Sequence, residues 1–381
     1  MSEYSTTGNN LDITKAIYHT TGMENTSVDA FYDDITEKPY QDLKDRTYFW
    51  LGVLSVTIIP LLFGGNFLVL LSLCIFRKLR SVQNLFIGCL ASFDLLLSVM
   101  ALPTYTVDFW FNDILMKYKY LCLFKYASVL FSLTGSLLSL LAIAVDRYIA
   151  ILHPLQYPLK MTKGKARKVI IVIWTYTITV GIIPYFWHEE EELAKKCDFF
   201  EILPRIFVIL STFFVISAVL VVSTGLYIRI FQVATRQKLK MLNMKTRFHP
   251  TSRRQLEKDT KSASAMAIVL FFFVAFWFPF MVSGPLKYLD IEENIIEVIK
   301  SIAVFLAQSN SGINPFIYCY LKTEFAVAFK LILGRIRGKN KLNADASLSS
   351  SSKDRYKSRH IRDDSCLKGE INPVFQTSVR V

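Results

Sequence analysis

The chain has 381 residues, 52% of them hydrophobic, with a mean hydropathy of +0.35 and a formal net charge of +13. A soluble domain of this length does not carry so much apolar surface, because soluble helices keep one polar face. The positive excess alone would suit a nucleic-acid binder, but no other feature supports nucleic acid. Membrane lipid is the expected partner of a basic, apolar chain.

A bilayer core needs about 20 mostly apolar residues per helix. Runs of that length are predicted near 48–76, 84–108, 119–152, 165–187, 203–232, 262–288 and 297–320. The expected fold class is an all-α membrane protein, a seven-transmembrane helix bundle with an amphipathic eighth helix. The expected segments are an extracellular and mostly disordered tail (1–47), the bundle (48–321), a membrane-surface helix (322–338) and a disordered cytoplasmic tail (339–381). A transporter or scramblase is a remoter reading. Transporters carry internal repeats and broken helices, and neither is visible here.

In the first segment, Asn25-Thr26-Ser27 is a glycosylation acceptor triplet. No apolar h-region precedes residue 48, so the first helix is expected to act as an uncleaved signal-anchor. That helix carries Asn66. The first connector is basic (Arg77, Lys78, Arg80), as are the second (Lys160 to Lys168) and the third (Arg236 to Lys258). The alternate connectors are acidic or mixed, with Glu189 to Glu192 in the fourth. Cytoplasmic loops hold the excess of Lys and Arg. The N-terminus is therefore expected outside and the C-terminus cytoplasmic, in the plasma membrane.

Asp94 lies mid-membrane in the second helix, where an ionisable group is expensive and marks a functional site by default. Ser136 of the third helix and Asn310, Ser311 and Asn314 of the seventh are its candidate neighbours, with Asn66. A carboxylate among neutral oxygens suits a small hard cation such as sodium; the alternative is a satisfied polar network without an ion. The third helix opens near Cys122 and Lys125 and ends at Asp146-Arg147-Tyr148. Arg147 is always charged, so it must be paired or exposed. The second outer loop holds Cys197-Asp198-Phe199. The sixth helix carries Asp259 at its foot and Trp277-Phe278-Pro279 above it, where proline permits a kink. The seventh ends in Asn314-Pro315-Phe316-Ile317-Tyr318. Phe325, Phe329 and Leu333 then share one face of a helix bordered by Lys and Arg, as in a helix lying on a membrane. Of the six cysteines, Cys74, Cys89 and Cys319 fall in apolar helices and Cys366 in the reducing tail, leaving Cys122 and Cys197 outside.

Together these motifs, in this order, resemble the rhodopsin-like (class A) G-protein-coupled receptors over roughly residues 48–334. The resemblance implies a ligand-operated switch and not an enzyme. It implies a Cys122–Cys197 bridge, a sodium ion held around Asp94 and Ser136, and an activation network of Asn66, Asp94, Ser136, Asn310, Ser311, Asn314 and Tyr318. No other cofactor is expected. It further implies G-protein coupling through Asp146, Arg147, Tyr148, Leu155 and Tyr227. In the inactive state Arg147 would be locked by Asp146 and Asp259, although the family more often has Glu at the latter position.

The ligand-binding positions implied are Lys125, Val129, Phe199, Trp277, Gly284 and Gln308. Val129 stands where amine receptors have an aspartate, and Gln308 where opsins have a lysine. Cys197-Asp198-Phe199, Pro204, Leu141–Tyr157 and Tyr227–Phe231 resemble the adenosine receptor branch. Gly284, Ala307-Gln308, Phe200 and Val219 depart from it. Lys125 resembles the cation of lysophospholipid and cannabinoid receptors, and Val219 in place of proline is shared with melanocortin receptors. The expected ligand is thus a small molecule, adenosine-like or other; an anionic lipid or a peptide are the alternatives. The Ser-rich tail (Ser347, Ser349 to Ser352) is an expected arrestin target. Val379-Arg380-Val381 could add a strand to a PDZ-type domain.

Overall fold

The computed structural model describes residues 25–243, 250–283, 286 and 293–336, without the side chains of 25–39, 112, 113, 194, 212, 237, 238 and 240–262. The tail from 337, with the expected arrestin and PDZ-type contacts, lies outside these residues.

Helix α1 runs Asn25–Ile75, α2 Val82–Trp110, α3 Lys119–Leu152 and α4 Lys163–Phe186. Helix α5 begins with the turn Arg205–Phe207, widens into a π-helical stretch Val208–Phe214 and continues as Val215–Asn243. Helix α6 spans Pro250–Ser283, α7 Glu293–Leu321 and α8 Thr323–Ile336. Among the described residues there is no strand.

Helix α1 begins well inside the segment expected to be disordered through residue 47. It is continuous into the membrane run, and its outer part is pinned by Lys44, which pairs with Glu297 of α7. A second wide turn interrupts α2 at Leu97–Ala101, just before Pro103, whose missing N–H and ring displace the ladder.

Six of the helices, α1 to α6, contain stretches long and apolar enough to cross a membrane. Helix α7 does not reach that hydropathy, although it lies among them. The reason is its inward face: Gln308, Ser309, Asn310, Ser311 and Asn314 are all buried. Polar residues of a membrane helix face the bundle interior. Conversely, the large exposed side chains of the other helices are apolar, such as Phe67, Ile171, Val172, Val221 and Phe271. A solvated protein would not expose so large an apolar surface; a lipid-facing one does.

Helix α3 is the centre, packed against α2, α4, α5 and α6, while α7 closes the ring between α6 and α1. The α2–α3–α4 junction is aromatic, with Phe93 stacked on Trp174 at 4.7 Å and edge-on to Phe131 at 5.3 Å. Gly135 makes that approach feasible, since a Cβ there would lie 2.3 Å from the Phe93 ring. Helix α8 buries Phe325, Ala328, Phe329 and Ile332 against the bundle and leaves Lys330 exposed.

Candidate functional site

Cys122 opens α3 and is bonded to Cys197, with the two Cα atoms 6.0 Å apart. The bond holds the segment after α4 over one end of the bundle. Its two flanking residues latch onto α7. Lys196 pairs with Glu293 at 2.7 Å and with Glu297, and Asp198 pairs with Lys300 at 3.2 Å. Burial opposes the Lys196 charge, but the hydrogen bonds it donates to Glu293 and Glu297 outweigh that and lift its pKa above the ordinary lysine range. Asp198 also caps the short helix Phe199–Ile202 by accepting from the Phe200 N–H at 2.8 Å.

Beneath this cover lies a chamber of about 160 Å³ bordered by Lys44, Tyr48, Asp108, Lys125, Glu297 and Lys300. Phe199 forms part of its wall and is edge-on to Tyr126 at 5.5 Å and to Phe280 at 6.1 Å. Phe200 adds a second ring, stacked on Phe280 at 5.9 Å with the Lys300 ammonium 5.5 Å from its centroid.

Lys125 borders the same chamber, but it is not a cation open to the mouth. It is 2% exposed, donates to Asp108 at 2.8 Å, and lies 4.4 Å from the Tyr126 ring centroid and 5.1 Å from that of Tyr105. Cation–π contacts of this kind strengthen when desolvated. Asp108 was missed from sequence. The signal was an acid near the outer end of one helix facing a lysine near the start of the next.

A narrow inner chamber continues toward the middle of the bundle, lined by Val129, Leu133, Phe199, Trp277, Phe280 and Gln308. Trp277 stacks on Phe273 at 5.9 Å and meets Phe280 edge-on at 6.0 Å. Gln308 is 1% exposed and its Nε2 has no hydrogen-bond partner. A buried donor left unmade costs about 1–3 kcal/mol. Gly284 lies outside the described residues.

Deeper, Asp94 accepts from Ser136 Oγ at 3.0 Å and Ser311 Oγ at 2.8 Å on one oxygen, and from Asn314 Nδ2 at 2.7 Å on the other. It is 1% exposed. One carboxylate thus ties α2 to α3 and α7. Asn66 donates to the Leu62 and Ser311 carbonyls at 3.0 and 3.2 Å. The Oδ1 atoms of Asn66 and Asn310 are buried without partners.

The far end of α3 holds Asp146 and Arg147, about 37 Å from Cys122 along the helix by its rise. Arg147 Nε donates to Asp146 at 2.9 Å, and both residues are buried. Tyr157, in the short helix Tyr157–Lys160, completes the pair: its hydroxyl donates to Asp146 at 2.8 Å and accepts from Arg147 at 3.4 Å. From sequence, Tyr157 was only the end of the Leu141–Tyr157 stretch and carried no sign of a lock. The side chain of Asp259 lies outside the described residues. Tyr148 packs against His153, and Leu155 projects outward at 93% exposure. Tyr227 and Tyr318 are buried with unpartnered hydroxyls.

Residues 65–318 match the model of the 7 transmembrane receptor (rhodopsin family). The chain is 30% identical over 297 residues to the adenosine receptor A2a of Equus caballus, covering 74% of this chain and 70% of that one. It is 28% identical over 308 residues to the adenosine receptor A2b of Gallus gallus, covering 74% and 88%. It is also 29% identical over 298 residues to the octopamine receptor beta-2R of Chilo suppressalis, covering 70% and 75%.

Proposed function

The chain belongs to the rhodopsin family of seven-transmembrane receptors, and we propose that it reads a small polar molecule held beneath Phe199. It is a receptor that signals through G proteins in response to an extracellular ligand, and not an enzyme. In this reading it lies in the plasma membrane, with its N-terminus and disulfide outside and the Arg147 end cytoplasmic, as the basic connectors suggest.

The observation that carries the reading is the line of polar strain through α7 and α5. Gln308 under the chamber has an unmade donor, Asn310 an unmade acceptor, and Tyr227 and Tyr318 unmade hydroxyls. Each unmade bond in so apolar a bundle favours a rearranged state that completes it. A ligand with an acceptor at its inner end would satisfy Gln308. Arg147 released from Asp146 and Tyr157 would have the Tyr227 and Tyr318 hydroxyls to turn to. Such a bistable element is what a switch needs. Leu155, exposed beside the lock, would meet the G protein.

A sodium ion suits the donor set around Asp94. Asp94 and Ser136 would hold it, and the open Oδ1 atoms of Asn66 and Asn310 are further oxygen ligands of the right chemistry. The ion supplies a positive charge that favours the arrangement in which α2, α3 and α7 converge. An asparagine at position 94 would remove that preference.

An amine ligand, as the name of the octopamine relative would suggest, needs a free acid. Asp108 borders the chamber, but Lys125 already neutralises it. The same pair weakens the anionic-lipid alternative, since a phosphate would have to displace Asp108. Parallel dose–response curves for adenosine, octopamine and lysophosphatidic acid in cells expressing the chain test the reading. A potent lysophosphatidic acid response lost in Lys125→Ala would replace it with the lipid alternative.

A further inference from the structure

A groove of about 820 Å³ opens between α5 and α6 on the outer surface of the bundle, larger than the chamber beneath Phe199. It falls within the about 300–1,000 Å³ range typical of ligand sites. Its wall is apolar: Tyr227, Ile228 and Phe231 from α5, and Leu270, Phe271 and Val274 from α6. Ile228 and Phe271 are 53% and 66% exposed, so the groove faces the hydrocarbon. Ala267, the smallest side chain along the α6 edge, leaves the space open.

Polarity changes along the groove. Thr224 stands at its deep end, whereas Gln232, Thr235 and Arg236 stand together at the end nearest the Arg147 side. Thr224 to Arg236 is twelve residues, about 18 Å of helix by its rise. One leaflet is half of a roughly 30 Å hydrocarbon core. The groove therefore runs the depth of a single leaflet and ends in a cation and two hydrogen-bonding side chains at the headgroup level.

We propose that this groove binds an anionic phospholipid of the inner leaflet, one acyl chain along Ile228, Phe231, Phe271 and Val274 and the headgroup phosphate on Arg236. The assignment of leaflet rests on the orientation proposed above. Packing favours an occupant, because a void against hydrocarbon forfeits dispersion contacts with no hydrophobic gain in exchange. Charge selects it, because Arg236 offers a planar fork to a phosphate at the surface where anionic lipid is concentrated.

The test is photocrosslinking in nanodiscs that contain the full chain. Phosphatidylserine and phosphatidylcholine, each with a diazirine in one acyl chain, are compared at equal mole fraction, and labelled residues are mapped by mass spectrometry. Phosphatidylserine is expected to label Ile228, Phe271 or Val274 several-fold more than phosphatidylcholine does. Arg236→Gln should bring the two lipids level, and Ala267→Trp should suppress labelling of the groove by both. Equal labelling by the two lipids in the wild-type chain would overturn the headgroup assignment. Phosphatidylserine labelling confined to other surfaces would overturn the site. Preferential labelling from the outer leaflet of asymmetric discs would refute the proposed orientation while leaving the groove itself intact as a lipid site.

Discussion

Among the described residues, Arg147 is held by two side chains of different origin. Asp146 is its sequence neighbour and was legible as a partner; Tyr157 is ten residues on, and only the turn of the chain after α3 brings its hydroxyl back over the pair. A hydrogen bond to a charged group contributes about 1.5–3 kcal/mol. Tyr157→Phe should therefore raise agonist-independent nucleotide exchange on the G protein by roughly tenfold or more. Exchange equal to wild type would show that Tyr157 adds nothing to the hold on Arg147. Asp94 was equally conspicuous, because a carboxylate in an apolar run is expensive to bury. Asp94→Asn should abolish any sodium dependence of agonist affinity in membrane preparations. A sodium effect of undiminished size in that variant would move the ion to other ligands. Lys125 shows where residue-level reading stops. Its position was plain, but its state depended on Asp108, which only the packing of α2 on α3 brings to 2.8 Å.

The helices themselves were legible from hydropathy, and the element least apolar by that measure, α7, is the one that carries the buried polar face. What the sequence did not announce were the wide turns at Leu97–Ala101 and Val208–Phe214, since a π-helical stretch has no composition of its own. Nor did it announce the length of α1, whose outer end is stabilised by a tertiary contact, Lys44 on Glu297. That contact belongs to a larger latch, in which Glu297 also receives Lys196 and Asp198 receives Lys300. The latch joins α1, the disulfide-anchored loop and α7 across the mouth of the chamber. Glu297→Gln removes the shared carboxylate and should speed dissociation of a bound ligand several-fold while leaving G-protein coupling intact; dissociation at the wild-type rate would show that the loop is held by its disulfide alone. Cys197→Ser should reduce surface display, because the loop then orders without its covalent anchor. Normal surface labelling with intact latch-dependent dissociation would contradict that.

At the scale of the whole molecule, one helix connects the two ends. Helix α3 carries Cys122 and Lys125 at the chamber, Ser136 at the Asp94 network and Arg147 at the opposite face. In the proposed function a change at the chamber would reach the far end through this shared element and through the unmade hydrogen bonds of α7 and of Tyr227 on α5. The central claim is that Arg147 is the output of this line. Nucleotide exchange on a purified heterotrimeric G protein by the reconstituted full chain, wild type beside Arg147→Ala, tests it most directly, with adenosine as the added probe. The expected result is measurable exchange by the wild-type receptor, basal or stimulated, and its loss in Arg147→Ala at equal reconstituted amount. Exchange by Arg147→Ala equal to that of the wild type would contradict it, and would place the coupling surface away from the Asp146–Arg147–Tyr157 lock.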